Sequence, residues 1–229
     1  MPLILNIDTA TDYAGICLSD NGNCIGKEEH LDQKNHASFL QPAIHQIMEK
    51  TGKKFKELDA LAVTSGPGSY TGIRVGMSSA KGLCFALNKP LIVINTLLVI
   101  AQAALEEQVT LGNEIDSNTV FCPMIDARRM EVFTGVYNWN LKEIKESGAF
   151  ILEECFFKEF LIQQKVIFCG SGAKKIENNL LKSNMQTSKS QHIVNQMIKH
   201  SEAAYFADNF ANLASVEPLY IKEFYNTKK

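Results

Sequence analysis

Two carboxylates end apolar runs that are predicted to be strands, and an acid in that position can organise a magnesium ion and a phosphate. Asp8 ends the run 3–8 and is followed by the hydroxyls of Thr9 and Thr11. Asp126 ends a second apolar run. Carboxylate oxygens suit magnesium in phosphoryl-transfer sites. Each stretch is therefore a candidate nucleotide-site element, and the alternative is an acid that only caps its own turn.

Neither carboxylate is followed by the glycine that a phosphate loop uses to bring its backbone close to phosphate. Ala10 stands at that place after Asp8, and Ala127 with Arg128 follows Asp126. A Cβ carbon there hinders the approach of phosphate to backbone amides. We therefore interpret both stretches as degenerate nucleotide-site elements and do not expect productive ATP binding. Two uses stay open for Arg128: an interface contact or an ordinary charged strand edge.

A glycine-rich stretch, 65–76, lies between a predicted strand and a predicted helix. Its sequence is Ser-Gly-Pro-Gly-Ser-Tyr-Thr-Gly-Ile-Arg-Val-Gly. Glycines permit close backbone approach, and amides at a helix start can bind an anion. The spacing fits neither the dinucleotide fingerprint nor a P-loop, because no Gly-Lys-Ser or Gly-Lys-Thr follows. Gly66 and Gly68 join the degenerate nucleotide-site elements, as do Gly170 and Gly172, for which a simple turn is the favoured interpretation.

The histidines and cysteines of the sequence are not spaced as the ligands of a metal site would be. His36 begins a predicted helix, but Leu40 stands four residues later, and His45 lies roughly a right angle around that helix. The six cysteines are scattered and show no two-residue gap of the kind that zinc sites use. We therefore predict no metal site and no catalytic residue, with His36 as a cap or packing group and the cysteines as reduced core residues.

Small residues recur every four positions along the helix that follows the glycine-rich stretch, at Gly72, Gly76, Ala80 and Cys84. Such a stripe permits close approach of another element. Packing inside the domain and contact with a partner are both open interpretations. As a hypothesis, this helix and the helix predicted at 38–50 form a partner surface. Its proposed residues are Phe39, Ala43, Ile47, Gly72, Gly76, Ala80 and Leu83.

Both halves of the chain show the same order of predicted elements: three strands, a helix and a further strand. Each half opens on an apolar strand that ends in an acid. Alternating strands and helices indicate an α/β fold with partly parallel sheets. Duplication of such a unit is typical of actin-like proteins, so we predict the actin-like (ASKHA) fold of two ribonuclease-H-like lobes. The expected lobes are 1–110 and 111–229, with a terminal helix at 193–214 that packs back on the first lobe.

Composition excludes several classes of protein. The 229 residues carry a formal net charge of -2, whereas a domain that binds nucleic acid by itself usually presents a basic face. Any RNA should therefore be held mainly through a partner. No stretch approaches the roughly 18 to 20 apolar residues of a membrane span, and the N-terminus lacks the basic start of a signal peptide. We expect a cytoplasmic protein without membrane contact.

Five segments together resemble the bacterial TsaB (YeaZ) family, long labelled glycoprotease-like. They occur in the family's order and cover both halves of the chain. The glycine-rich stretch 65–76 is the most specific of them, and the others are 6–11, 36–44, 125–129 and 218–222.

This resemblance implies a non-catalytic subunit required for threonylcarbamoylation of the adenosine adjacent to the anticodon, in tRNAs that read codons starting with A. It implies a metal-bearing catalytic paralogue (TsaD-like) and a small P-loop ATPase (TsaE-like) as partners. It also implies no cofactor of the subunit's own and tRNA contact mainly through the complex, and it leaves open whether nucleotide binds at the interface shared with the paralogue. A homodimer is expected when the subunit is isolated, because an apolar surface meant for a paralogue can pair with its own copy.

Three alternatives remain on the residues alone. The topology, with Asp8 and Asp126, would suit a small-molecule kinase or ATPase of the actin-like fold, although Ala10 and Arg128 weaken that interpretation. A metallopeptidase is the least favoured, because the histidine pair is missing. A stand-alone structural homodimer is the third. Magnesium-dependent ATP hydrolysis would favour the kinase, and stoichiometric zinc or iron would favour the metallopeptidase. A requirement for a paralogue in tRNA modification would argue against the stand-alone homodimer.

Overall fold

The computed structural model describes residues 2–31, 35–152, 164–177 and 184–222. It divides the chain into two compact units, Met1–Val99 with His192–Pro218 and Ile100–Gln191 with Leu219–Lys229. The division falls inside helix α3, Thr96–Thr110, and not after residue 110 as the sequence suggested. The reason is that Val99 packs in the core of the first unit. A boundary within one continuous helix leaves no turn or change of composition to mark it.

The first unit is built on a five-stranded sheet of order β3-β2-β1-β4-β5. The three strands of the opening meander pair antiparallel, whereas β4 pairs parallel with β1 and with β5. Every side chain of β1 is buried, which accounts for its continuous apolar run, because a strand covered on both faces has no solvent side. The strands are β1 Leu3–Asp8, β2 Ala14–Asp20, β3 Asn23–His30, β4 Ala60–Gly66 and β5 Leu91–Asn95.

Two helices, α1 His36–Thr51 and α2 Tyr70–Leu87, cover one face of this sheet. Side chains at helical spacing on α1, among them Leu40 and Ile44, are fully buried in a core that includes Leu5 of β1. A short 3-10 helix, Phe55–Glu57, connects α1 to β4. The apolar face predicted from the periodicity of this segment is therefore the face that packs on the sheet.

The second unit repeats the same topology in a sheet of order β10-β9-β6-β7-β8. Its central strand β6 corresponds to β1, with antiparallel neighbours on one side and parallel strands on the other. The strands are β6 Thr119–Asp126, β7 Glu131–Asn138, β8 Glu143–Ile151, β9 Lys165–Cys169 and β10 Met185–Thr187, and a 3-10 turn, Ser171–Ala173, leads into the short helix α4, Lys174–Glu177.

The polar stretch 184–191 shows no hydrophobic pattern in the sequence, yet it contains β10, because three residues are too few for an alternation to be visible. The sequence also predicts a helix through Phe160, and this segment lies outside the described residues. The repeated order of strands confirms the prediction of two ribonuclease-H-like lobes, the arrangement of the actin-like fold.

The C-terminal segment of the first unit is a 3-10 helix, Val194–Met197, followed by α5, Ile198–Phe206. Val194 and Met197 are fully buried on the face of the first sheet opposite to α1 and α2. The helix is shorter than the predicted 193–214, because the chain turns at Asp208, whose φ is 50°. Among the residues that the structure describes, none of the helices combines the length and apolar character needed to cross a membrane.

Helix α2 lies unusually close to the turn after β1, and glycine makes this possible. A Cβ added at Gly72 would overlap the carbonyl oxygen of Thr9, and one at Gly76 would overlap Thr9 Oγ1. The Thr9 hydroxyl in turn donates to the carbonyl of Gly72 at 2.7 Å. Gly82, on the opposite side of α2, has no atom within 4 Å of an added Cβ. The helix therefore needs glycine on its inner side and tolerates other residues on its outer side.

Two matched substitutions on this helix test the packing. Gly76→Ala should lower the free energy of unfolding by about 1–3 kcal/mol, because the new methyl group meets Thr9 in a filled core. Gly82→Ala should raise it by up to about 1 kcal/mol, because alanine is the better helix former and nothing obstructs it. Urea denaturation of both variants measures the difference. Equal effects at the two positions would contradict the described packing.

Candidate functional site

The glycine-rich loop packs directly on the turn that follows Asp8. The amide of Ser69 donates to the carbonyl of Ala10 at 2.6 Å, and a Cβ at Gly68 would overlap that same carbonyl. Gly66 has a φ of 110° and precedes Pro67 through a cis peptide bond. The loop is thus seated on the β1–β2 turn, at the place where a phosphate-binding member of this fold would need open backbone.

Backbone amides at this place are already hydrogen bonded within the protein. The amide of Gly72 donates to Ser69 Oγ, the N-cap of α2, at 3.3 Å. The amide of Ala10 donates to Asp8 Oδ1 at 3.1 Å, and Ala10 is fully buried. With Ser69 N bonded to Ala10, three amides of the candidate anion site are occupied. Phosphate could reach them only after these contacts were broken.

Asp8 is fully buried and paired with a histidine from the C-terminal segment of the same unit. Its Oδ1 accepts a hydrogen bond from Thr64 Oγ1 at 2.9 Å, and its Oδ2 lies 3.3 Å from His192 Nε2. Desolvation by itself would raise the pKa of Asp8, but the contact with His192 and the hydrogen bonds from Ala10 and Thr64 bring it below its usual value. A protein side chain therefore stands beside the carboxylate, where the sequence suggested a cation.

Neighbouring groups hold His192 in place. Its Nε2 is 3.4 Å from Thr11 Oγ1, and its ring meets Tyr13 edge-on at 5.7 Å between centroids. The Tyr13 hydroxyl donates to Glu29 Oε1 at 2.8 Å and accepts from the amide of Val194 at 3.0 Å. Burial raises the pKa of Tyr13. Sequence reasoning missed His192, since it lies 184 positions after Asp8 and no local pattern joins them.

The matching elements of the second unit form a turn with its own contacts. Asp126 is exposed, and its Oδ1 accepts from Lys175 Nζ at 2.6 Å and from the amide of Arg128 at 2.7 Å. Despite some desolvation, these two donors lower the pKa of Asp126. Arg128 and Arg129 are exposed and have φ values of 69° and 49°. Asp126 therefore caps its own turn, the alternative that the sequence left open.

The second glycine turn also has a packing explanation. A Cβ at Gly170 would overlap the carbonyl of Met124, and one at Gly172 would come within 2.9 Å of Met124 Cβ and Val132 Cγ1. Gly170 has a φ of 85°, a conformation that favours glycine. Both glycines are accounted for by the approach of this turn to β6, in agreement with the interpretation favoured from the sequence.

His36 packs at the start of α1, as the sequence suggested. It is buried, and its Nε2 lies 3.3 Å from the carbonyl oxygen of Asp12, while Leu40 points into the core. Within 2–31, 35–152, 164–177 and 184–222, no three His, Cys, Asp or Glu side chains are grouped as a metal site would require. Cys155 lies outside the described residues.

The partner surface predicted from the sequence is wrong for most of its residues. Ala43, Ile47, Gly72, Gly76 and Ala80 are buried in the first unit, so a partner cannot touch them. Phe39 and Leu83 are partly buried against the same core. The small-residue stripe serves the close approach of α2 to Thr9, which is the packing interpretation that the sequence had left open.

A different row of residues faces outward from α2, which we call the outer α2 face: Thr71, Arg74, Ser78, Gly82 and Phe85, all exposed. Phe85 is the most exposed large apolar side chain among the described residues, at 85%. A shallow groove along this row is lined by six residues of α2, namely Tyr70, Thr71, Arg74, Val75, Ser78 and Ser79. Arg74 lies over the ring of Tyr70, with Cζ 3.8 Å from the centroid. Gln41 of α1 donates to Ser79 at 3.1 Å, so α1 borders the groove.

The two units, each with the same order of strands, define a protein of the actin-like fold. A solved Pseudomonas aeruginosa structure, described as an uncharacterized protein with similarity to peptidase YEAZ, superposes with a TM-score of 0.84 at 22% identity. It covers 97% of this chain and 100% of its own. A model of the family described as TsaD, tRNA N6-adenosine threonylcarbamoyltransferase, matches residues 30–222.

Two curated relatives carry the same description, tRNA threonylcarbamoyladenosine biosynthesis protein TsaB. The protein of Haemophilus influenzae is 28% identical over 99% of this chain and 96% of its own length. That of Bacillus subtilis is 33% identical over 59% of this chain and 55% of its own length. The chain therefore belongs to the TsaD family of actin-like proteins, in its TsaB (YeaZ) branch.

The Asp8–His192 pair gives a prediction for stability. His192→Ala should lower the free energy of unfolding by about 3 kcal/mol, because it leaves a buried carboxylate without its partner. The double variant Asp8→Asn with His192→Ala should recover part of this loss, since no unpaired charge is left inside. Guanidinium denaturation of the two single variants and the double variant gives the coupling energy. Additive effects would show that the two side chains are not coupled.

The pH dependence supplies a control for this pair. The pKa of Asp8 is lowered in the folded protein, so its stabilisation is complete above the unfolded pKa of about 4 and is lost as the pH falls below that value. The free energy of unfolding of the Asp8→Asn variant should therefore fall less steeply between about pH 5 and pH 3 than that of the wild-type protein. The difference should correspond to the titration of one carboxyl group.

Proposed function

We propose that this protein is the non-catalytic subunit required for threonylcarbamoylation of the adenosine adjacent to the anticodon, in tRNAs that read codons starting with A. The relatives named as tRNA threonylcarbamoyladenosine biosynthesis proteins support the role in tRNA modification. The observation that carries the non-catalytic part is the closed site around Asp8. Its carboxylate is buried and paired with His192, and the adjacent loop amides are bonded within the protein.

A kinase or ATPase of this fold would need the opposite arrangement. It would need an acid free to organise magnesium and a glycine loop with amides free to face phosphate. Here Ala10 fills the turn, and its carbonyl oxygen accepts a hydrogen bond from the amide of Ser69. A metallopeptidase would need a second histidine beside His36, where Leu40 belongs to the core. We therefore propose that the subunit has no cofactor of its own, and that nucleotide binds at the interface shared with the catalytic partner.

The outer α2 face supports binding of the metal-bearing catalytic paralogue. Phe85 exposes its ring to water, and large exposed apolar groups commonly mark interaction sites. Gly82 is a poor helix former, and no neighbouring atom of the first unit requires a glycine at this position. Both features make sense if another protein covers this face and approaches the helix backbone closely. The same face could pair with a second copy when the paralogue is missing, which would give a homodimer of the isolated subunit.

The remaining partners follow from the proposed complex. A net charge of -2 gives the chain little attraction for phosphate backbones, so we propose that tRNA is held mainly by the complex and that the reaction takes place in the cytoplasm. A small P-loop ATPase would supply the phosphate chemistry that the closed loop around Asp8 does not.

Reconstitution tests the function directly. The purified subunit, the catalytic paralogue and the P-loop ATPase should together modify tRNA when threonylcarbamoyl is supplied as its adenylate. Omission of this subunit should abolish product formation. Mass spectrometry of nucleosides measures the product. Full activity without this chain would contradict the proposal, and magnesium-dependent ATP hydrolysis by the isolated chain would favour the kinase alternative.

A substitution on the outer α2 face tests the partner surface. Phe85→Ser should weaken binding to the catalytic paralogue by about tenfold or more, since exposed aromatic anchors dominate such interfaces, while the unfolding curve stays unchanged. Phe206→Ser is the matched control, because Phe206 is also a surface phenylalanine, 61% exposed, on another helix of the same unit. Equal affinity of the Phe85 variant and the wild-type protein would place the interface elsewhere.

A further inference from the structure

The sulfur atoms of Cys17 and Cys24 lie 3.0 Å apart across the β2–β3 hairpin. This distance is shorter than ordinary contact between two sulfur atoms. The thiol of Cys17 donates to Cys24 Sγ, and the thiol of Cys24 donates to the carbonyl of Gly26 at 3.3 Å. Both cysteines are free thiols. A disulfide bond of about 2.05 Å would require the two sulfur atoms to approach by only about 1 Å.

A bulge in β3 produces this juxtaposition. Cys17 pairs with Lys27 and Ser19 pairs with Cys24, with a register shift between them. In a regular strand, Lys27 and Cys24 would lie on opposite faces, because they are three residues apart. The extra residue in β3 reverses the alternation and places Cys24 on the face of Cys17. The bulge thus makes the two cysteines diagonal neighbours, at a spacing that sequence alone would not pair.

The two thiols differ in access to solvent. Cys24 is exposed at the edge strand, whereas Cys17 is fully buried in the core beneath the C-terminal segment. Burial raises the pKa of Cys17, with Cys24, Lys27 and Glu29 as its polar neighbours. An exposed thiol with a second thiol directly behind it has the arrangement of an attacking and a resolving cysteine.

We propose that Cys17 and Cys24 form a peroxide-sensitive dithiol site that closes reversibly to a disulfide. The Cys24 thiolate attacks hydrogen peroxide, a sulfur–oxygen bond forms, the oxygen–oxygen bond breaks, and hydroxide leaves. The sulfur of Cys17 then attacks the sulfur of the Cys24 sulfenic acid, so that the sulfur–sulfur bond forms and the sulfur–oxygen bond breaks. The departing hydroxide takes the proton of the Cys17 thiol and leaves as water. In sum, two thiols and one peroxide give one disulfide and two water molecules, and a dithiol reductant reverses the oxidation.

The other described cysteines differ from this pair and serve as internal controls. Cys84 is buried, and its thiol donates to the carbonyl of Pro90 at 3.5 Å. Cys122 and Cys169 lie on the neighbouring strands β6 and β9 and are fully buried. Peroxide in solution therefore has no direct access to them. Cys155 lies outside the described residues, so the test uses a Cys155→Ser background.

The experiment exposes the folded full chain to hydrogen peroxide, removes the peroxide with catalase, and alkylates the remaining thiols after unfolding. Both cysteines fall in one tryptic peptide, 1–27, because no Lys or Arg precedes Lys27. This peptide should lose both alkylation sites together. Its mass should be that of the unalkylated dithiol peptide less two hydrogen atoms. The loss should be about tenfold or more faster than at Cys84, as expected for an exposed thiol, and a dithiol reductant should restore both sites.

Variants identify the order of the steps. In Cys17→Ala, the sulfenic acid on Cys24 should persist and react with dimedone several-fold more than in the parent protein. In Cys24→Ser, Cys17 should stay available for alkylation. The proposal is overturned if peroxide adds oxygen to Cys24 in the parent protein while Cys17 remains alkylatable, or if Cys84 is oxidised at the same rate. The parent protein decides the outcome even if a variant fails to fold.

Discussion

Close contact between α2 and the turn after β1 is the constraint on which the first unit depends. Gly68, Gly72 and Gly76 place backbone where side chains would collide with Thr9 and Ala10. This contact fixes the start of α2 and uses the loop amides in internal hydrogen bonds. The glycine-rich loop and the start of α2 therefore serve as packing elements in this protein. One arrangement therefore explains both the glycines of the motif and the internal hydrogen bonds of its amides.

The buried carboxylate follows from the same arrangement. Asp8 ends a strand that is covered on both faces, so its charge must be compensated inside the protein. His192, Thr64 and the amide of Ala10 provide that compensation. The strand-end acid is thus compatible with the topology of an ATPase, but its partner is a side chain of the C-terminal segment. This pairing also ties that segment to the first unit.

Helix α2 has two sides with different demands. Its inner side carries small residues because Thr9 lies against it. Its outer side carries Gly82 and Phe85, which packing within the first unit does not explain. Four-residue periodicity alone does not distinguish these sides, since a small-residue stripe has the same spacing whether it meets its own sheet or a partner. Burial distinguishes the two sides, and for this reason we propose the outer α2 face as the partner surface.

The sequence by itself determined the repeated order of strands and helices, because apolar runs and helical periodicity are local patterns. It also determined the family, through motifs such as 65–76, and the mismatch at Ala10 and Leu40. Only the tertiary structure decided that His192 pairs with Asp8 and that Cys24 lies beside Cys17. It also placed the division between the units within α3. These results depend on contacts between distant residues and on a bulge that reverses strand parity, for which a single sequence contains no local signal.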